Sequence, residues 1–203
     1  MKKFLTNLAM LRNVLFHSLL IIVTFFSFVG KGWGQVSNYT FVATTGNYTA
    51  TSGQTSITGL GQYVDDGISS AINIGFTFNY DGTNYTQFKA SSNGWMTFNT
   101  AITSSYSFNY LTSPYLRPIV APLWDDLECS NSSSGQKYVN YVLTGSSPNR
   151  VLTIEWYKHR WNYNSQNNVI SFQVKLYETS NIIEFIYYQG NNDQNNASAS
   201  IGL

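Results

Sequence analysis

Leu152, Ile154 and Trp156 alternate with Thr153 and Glu155, and the same every-other-residue pattern returns twice before the chain ends. Ile170, Phe172, Val174 and Leu176 alternate with Ser171, Gln173 and Lys175. Ile183, Phe185 and Tyr187 alternate with Glu184 and Ile186. Successive side chains of an extended strand point to opposite faces, so each run makes a strand with one apolar face. An earlier run places Ile72, Ile74, Phe76, Phe78 and Tyr80 on one face in the same way. After residue 35 no window repeats apolar residues at helical spacing. Short amphipathic strands at regular intervals bury their apolar faces against one another. The expected fold is therefore all-β, an antiparallel β-sandwich of jelly-roll-like kind.

Turn chemistry punctuates the strands. Asp81-Gly82 follows Tyr80 directly and predicts a tight hairpin into a return strand from Tyr85 to Ala90, because glycine accepts positive φ. Asn93-Gly94 predicts a second turn, with Trp95 to Phe98 continuing the meander. Glu178 to Asn181 predicts a third. Thr100 to Arg117 is irregular, contains Pro114, and reads as a long connection between sheets. Pro118 to Trp124 reads as an edge strand or a strand start, since proline cannot donate to a ladder. Lys137 to Leu143 is a further strand, Cys129 to Gln136 a polar loop, and Ala199 to Leu203 the start of another strand.

The first residues are of a different kind. Lys2, Lys3 and Arg12 precede an apolar run from Val14 to Val29, followed by Gly32-Trp33-Gly34. A basic segment, an apolar segment and small residues before a cut make a secretory leader, a cleavable signal helix over residues 1–34 with cleavage at Gly34/Gln35. The competing reading is a retained anchor, but a spanning helix wants about 20 apolar residues. The only cysteine, Cys129, lies too far downstream for lipidation and has no partner within the chain. Residues 35–203 then form one β-sandwich domain, truncated or the first module of a longer precursor. Cleavage removes four basic residues and no acid, so the balance moves from +1 to −3. Such a surface offers no basic patch for a phosphate backbone, which excludes nucleic acid as a partner. Once the leader is gone, nothing remains to insert into a membrane.

Six segments in fixed order carry a resemblance. They are Phe78 to Tyr85, Ser92 to Phe98, Arg117 to Asp126, Arg150 to Trp156, Phe172 to Tyr177 and Ile183 to Tyr187. Together with Asp65-Asp66-Gly67 they resemble a nidogen-type extracellular domain, most nearly the secreted and surface modules of Bacteroidetes-type bacteria. The resemblance covers Tyr39 to Leu203. It implies an extracellular β-rich adhesion or interaction module, secreted or surface-displayed, with no catalytic residues to carry over. Relatives of that kind often precede a sorting domain read by type IX secretion, which this chain does not display.

Two constellations are candidate sites. Asp65, Asp66, Asp125 and Asp126 are paired acids. Calcium takes six to eight oxygens, so four carboxylates on two converging loops would suit it; otherwise the acids serve turns and caps. No other cofactor is expected. Trp161, Asn162, Tyr163 and Asn164 combine flat rings with amides, the chemistry on which a sugar ring stacks; otherwise Trp161 folds back on the sheet edge. His159 lacks the nucleophile turn of a hydrolase. Glu155 and Glu184 would be the carboxylates of a small glycoside hydrolase, but their strand positions read as solvated. Trp95, Trp124 and Trp156 read as packing residues. The expected function is a non-catalytic adhesion or extracellular interaction module that engages a protein or glycan. The alternatives are a carbohydrate-binding module and, last, a glycosidase.

Overall fold

Asp81 and Gly82 both adopt positive φ, +47° and +81°, and join two nine-residue strands with no residue to spare. This is the mirror-image turn that matches the natural twist of a hairpin. The strands are β2, Ile72–Tyr80, and β3, Thr83–Ser91, paired from Tyr80↔Thr83 outward. The computed structural model describes residues 36, 39–60, 64–128, 138–161, 170–190 and 198–203. The expected leader, residues 1–34, and Cys129 lie outside the described residues. All elements below belong to the compact unit Val42–Leu203.

The remaining strands are β1 Thr55–Ser56, β4 Trp95–Thr97, β5 Ile119–Trp124, β6 Tyr138–Thr144, β7 Val151–His159, β8 Ile170–Tyr177, β9 Ile183–Gln189 and β10 Ser200–Gly202. A three-residue 3-10 turn, Pro114–Leu116, is the one helical element among the described residues. Two antiparallel five-stranded sheets result, ordered β1-β6-β7-β8-β9 and β10-β5-β4-β3-β2. The fold is a β-sandwich, as the alternation predicts.

Their inner faces meet. Trp95, Trp124, Trp156, Phe78, Phe88 and Phe172 are fully buried. Burial of one such side chain stabilises the fold by about 1.5–3 kcal/mol. Phe88 of β3 meets Tyr141 of β6 edge-on at 6.2 Å. The Trp156 indole of β7 donates to the Ser91 carbonyl of β3 at 2.7 Å, and the Tyr187 hydroxyl of β9 donates to the Pro122 carbonyl of β5 at 2.6 Å. These bonds satisfy polar atoms that burial would otherwise leave unpaired.

Two expectations need correction. The stretch from Thr100 to Arg117 does not connect sheets: β4 and β5 pair directly, Met96↔Val120 and Thr97↔Ile119. It is an excursion from one sheet and back, because the six-residue β5 can zip onto β4 wherever the chain returns. Of the two readings of Pro118 to Trp124, the edge strand falls, because β10 pairs along the other side of β5, and the strand start holds, because β5 begins directly after Pro118. Pro122 has no N–H to give, and the register slips there, between Ser200↔Trp124 and Gly202↔Ala121.

Candidate functional site

Glu155 corrects the expectation of a solvated strand glutamate, for it is 1% exposed. It stands on the outer face of β7, between Asn140 of β6 and Gln173 of β8. The segment Tyr48–Thr51 crosses over it. The carboxylate accepts from the Tyr48 hydroxyl at 2.6 Å, the Thr51 hydroxyl at 2.5 Å and the Thr51 amide at 3.2 Å. It also accepts from Asn140 Nδ2 at 3.2 Å and Gln173 Nε2 at 2.7 Å. Gln173 Nε2 donates to the Thr49 carbonyl as well, at 2.8 Å, and the Tyr48 ring stacks on Tyr188 at 5.5 Å. A buried carboxylate is tolerated only when its lone pairs are filled, and here they are. Burial, then the Glu155 bond, pushes the Tyr48 phenol far above its ordinary value.

Glu184 does not join Glu155. Along the ladder Glu155 lies opposite Gln173 and then Ile186, so Glu184 is two strands over and two residues along. At about 4.8 Å per strand and about 3.4 Å per residue, the two Cα atoms are about 12 Å apart. A glycosidase pair needs both carboxyls open to one cleft, and the carboxylate of Glu155 is closed off by the strap. Glu184 is itself engaged, accepting from the Tyr177 hydroxyl at 2.6 Å and lying 3.8 Å from Lys175 Nζ.

The acidic loops do converge. Burial, then Asp66, Asp126 and Glu128, raises the Asp65 carboxyl above its ordinary value; burial, then Asp66 and Asp125, raises Asp126. The Asn93-Gly94 turn lies between the loops. Asn93 Nδ2 donates to Asp66 Oδ1 at 2.7 Å, and the Leu123 amide donates to the Gly94 carbonyl at 3.3 Å. Asp125 is occupied by the Ser198 amide at 3.1 Å, the Ser198 hydroxyl at 2.9 Å and the Asp126 amide at 2.9 Å. Among the described residues no three His, Cys, Asp or Glu side chains are grouped to hold a metal ion.

Trp161 is half-buried, two residues past the end of β7. The preceding residue, Arg160, exchanges backbone bonds with Glu128 and pairs with its carboxylate at 3.1 Å. Asn162, Tyr163 and Asn164 lie outside the described residues. His159 is fully buried, edge-on to Phe172 at 6.4 Å, out of reach of a substrate.

The surface feature that sequence reasoning passed over is in the excursion between β4 and β5. Tyr106, Phe108, Tyr110 and Tyr115 are 41%, 73%, 67% and 73% exposed. Phe108 and Tyr110 hold their rings parallel, 8° apart in plane at 6.3 Å. The main chain beneath them is fastened by side chains of the sandwich. Trp95 and Trp124 indoles donate to the carbonyls of Ser105 and Tyr106, each at 2.9 Å. The Ser91 hydroxyl donates to the Ser105 carbonyl at 3.0 Å, that of Ser200 to Asn109 at 2.8 Å, and that of Thr97 to Leu116 at 2.7 Å. Arg117 donates to the Leu111 carbonyl at 3.1 Å. Tyr106 sits at φ +44°, a rare conformation for a bulky residue, and its carbonyl takes the Trp124 bond. The signal was present as Tyr106-Ser107-Phe108-Asn109-Tyr110, an alternation like that of the strands.

A family model described as NIDO related matches residues 38–203. No curated protein and no solved structure matches the chain. The matched span includes every strand, the strap over Glu155, the acidic loops and the aromatic excursion. The chain belongs to the nidogen-related family.

Proposed function

We propose that this chain is an exported, non-catalytic module that mediates adhesion or another extracellular interaction. The observation that carries the reading is the nidogen-related β-sandwich itself, with its candidate catalytic acids tied into structural bonds. Glu155 is sealed under the strap, Glu184 is paired, and His159 is buried. The leader supports export, and no helix among the described residues is long and apolar enough to cross a membrane.

Two measurements test the reading. The full precursor is expressed with its leader, and mass spectrometry of the medium and surface fractions looks for an N-terminus at Gln35. Beads coated with the purified protein are then scored for attachment to cells and to extracellular material. Intracellular accumulation without cleavage, or beads that attach no better than uncoated ones, contradicts it. Hydrolysis of a polysaccharide panel that is lost in Glu184→Gln would restore the glycosidase.

A glycan ligand is the second reading. Its original candidate, Trp161 to Asn164, is largely outside the described residues, but the exposed aromatic excursion supports it independently.

A further inference from the structure

We propose that the excursion from Tyr106 to Tyr115 is a stacking platform for a neutral polysaccharide. The proposal rests on the interaction reading above and names the surface and the ligand chemistry for it.

Four rings within ten residues stand in solvent, where an unpartnered module would bury or replace them. A loop of this length without strands of its own is unusual unless it is used. Its backbone is already ordered: carbonyls at Ser105, Tyr106, Asn109, Leu111 and Leu116 are each held by a side chain. A ligand meeting it does not have to order the loop, and that saving strengthens binding.

The chemistry of the strip selects the ligand. Residues 99–116 contain no charged side chain. Of the large aliphatic side chains of the segment, Ile102 and Leu116 are buried and Leu111 is partly buried against the same core, so it presents mainly rings and hydroxyls. A protein interface is also rich in aromatic rings, but one steered by charge would set charged side chains around them, and this segment has none. An acidic polysaccharide would need cations, and the bordering Arg117 is engaged with the Leu111 carbonyl. A neutral sugar fits both properties: its ring faces are C–H surfaces that stack on aromatics, and its hydroxyls meet serine, threonine and phenol groups. Four exposed rings spread over ten residues suit successive units of a chain better than a single sugar.

The test is affinity electrophoresis of the full chain in gels containing mixed-linkage β-glucan, xylan or galactomannan, with alginate and pectate as acidic counterparts. Tryptophan fluorescence gives a second readout, since the Trp95 and Trp124 indoles bond to the platform's own carbonyls. Retardation by at least one neutral polysaccharide is expected, weakened about tenfold by Phe108→Ala or Tyr110→Ala, or about 1.4 kcal/mol. Both side chains are exposed, so the melting midpoint should not move; Tyr188→Ala, on the other sheet, should retain binding. Absence of retardation across the neutral panel overturns the proposal, as does retardation unchanged in the double variant or confined to the acidic polysaccharides. If Phe108→Ala/Tyr110→Ala coated beads lose attachment, and protease but not periodate treatment of the target abolishes wild-type attachment, the ligand is a protein. The interaction reading then stands and the glycan does not.

Discussion

The hydroxyl of Tyr48 donates to Glu155 Oε1 at 2.6 Å across 107 residues of sequence. That bond and its neighbours tie an extended N-terminal strap to the middle of a sheet. Glu155→Ala removes the acceptor shared by Tyr48, Thr51, Asn140 and Gln173. Removing the centre of a buried network costs about 3 kcal/mol, and the thermal midpoint should fall by about 6–12 °C. Limited proteolysis should cut near Thr51 before the rest of the domain. A midpoint within 2 °C of wild type would show that the strap is not held this way.

Arg150 and Glu178 make a forked pair, Nε to Oε2 at 2.8 Å and Nη2 to Oε1 at 2.5 Å, and the Arg150 amide adds a third bond at 3.0 Å. The guanidinium bonds hold the Glu178 carboxyl at about 2. A lowered carboxyl contributes stability that is complete above its ordinary value and lost as pH falls toward 2. Wild type should therefore exceed Glu178→Gln in stability by a constant margin above about pH 5.5. That margin should shrink as pH falls below about 4.5 and be mostly gone by about pH 2. A margin undiminished at pH 2 would mean the charge is not its source.

Asp65 and Asp126 carry the opposite sign. Both are raised above 3.8 by burial and by facing acids. The native state then binds protons more readily than the unfolded chain, so these groups cost stability as pH rises from the ordinary value through their raised values. Asp126→Asn should raise the midpoint by about 2 °C at pH 7 and leave it unchanged near pH 3. Asp66 already accepts from Asn93, and Asp125 from Ser198 and the Asp126 amide, so added calcium or a chelator should leave the melting of wild type unchanged. A calcium-dependent rise would place a cation between the loops, because a ligand of the native state must raise the midpoint.

Gly94 is at φ +76°, and a Cβ there would lie 1.9 Å from the Leu123 carbonyl oxygen. Both the conformation and the backbone contact forbid a side chain. Gly94→Ala should lose about 4 kcal/mol or more and depress the yield of folded protein. Gly82→Ala removes only the preferred turn residue, since open space surrounds that position. It should cost about 1 kcal/mol. Denaturant unfolding of both variants measures the ranking, and equal losses would contradict it.

Much of the fold was legible because β-structure writes itself locally. Ile74, Phe76, Phe78 and Tyr80 are buried as their alternation requires, and Asp81-Gly82 turns where its φ preferences allow. The family segments were legible in the same way. The candidate site was less so. The meeting of the Asp65 and Asp126 loops was only conditional in the sequence, since no spacing rule joins residues so far apart. The aromatic strip was hidden by Pro114 and its irregular surroundings.

The chain by itself determined which residues form strands, which face of each is apolar, and where the tight turns fall. Those properties depend on a two-residue period and on backbone sterics, both of which act over a few neighbours. Only the tertiary structure decided that Glu155, Ser171 and Gln173 are buried on the nominally polar face. It also decided that β4 and β5 are partners across a long excursion, with the rings of that excursion outward. Burial is a property of what the rest of the chain lays over a residue. The Tyr48–Thr51 strap reaches Glu155 from more than a hundred positions away, beyond any local pattern.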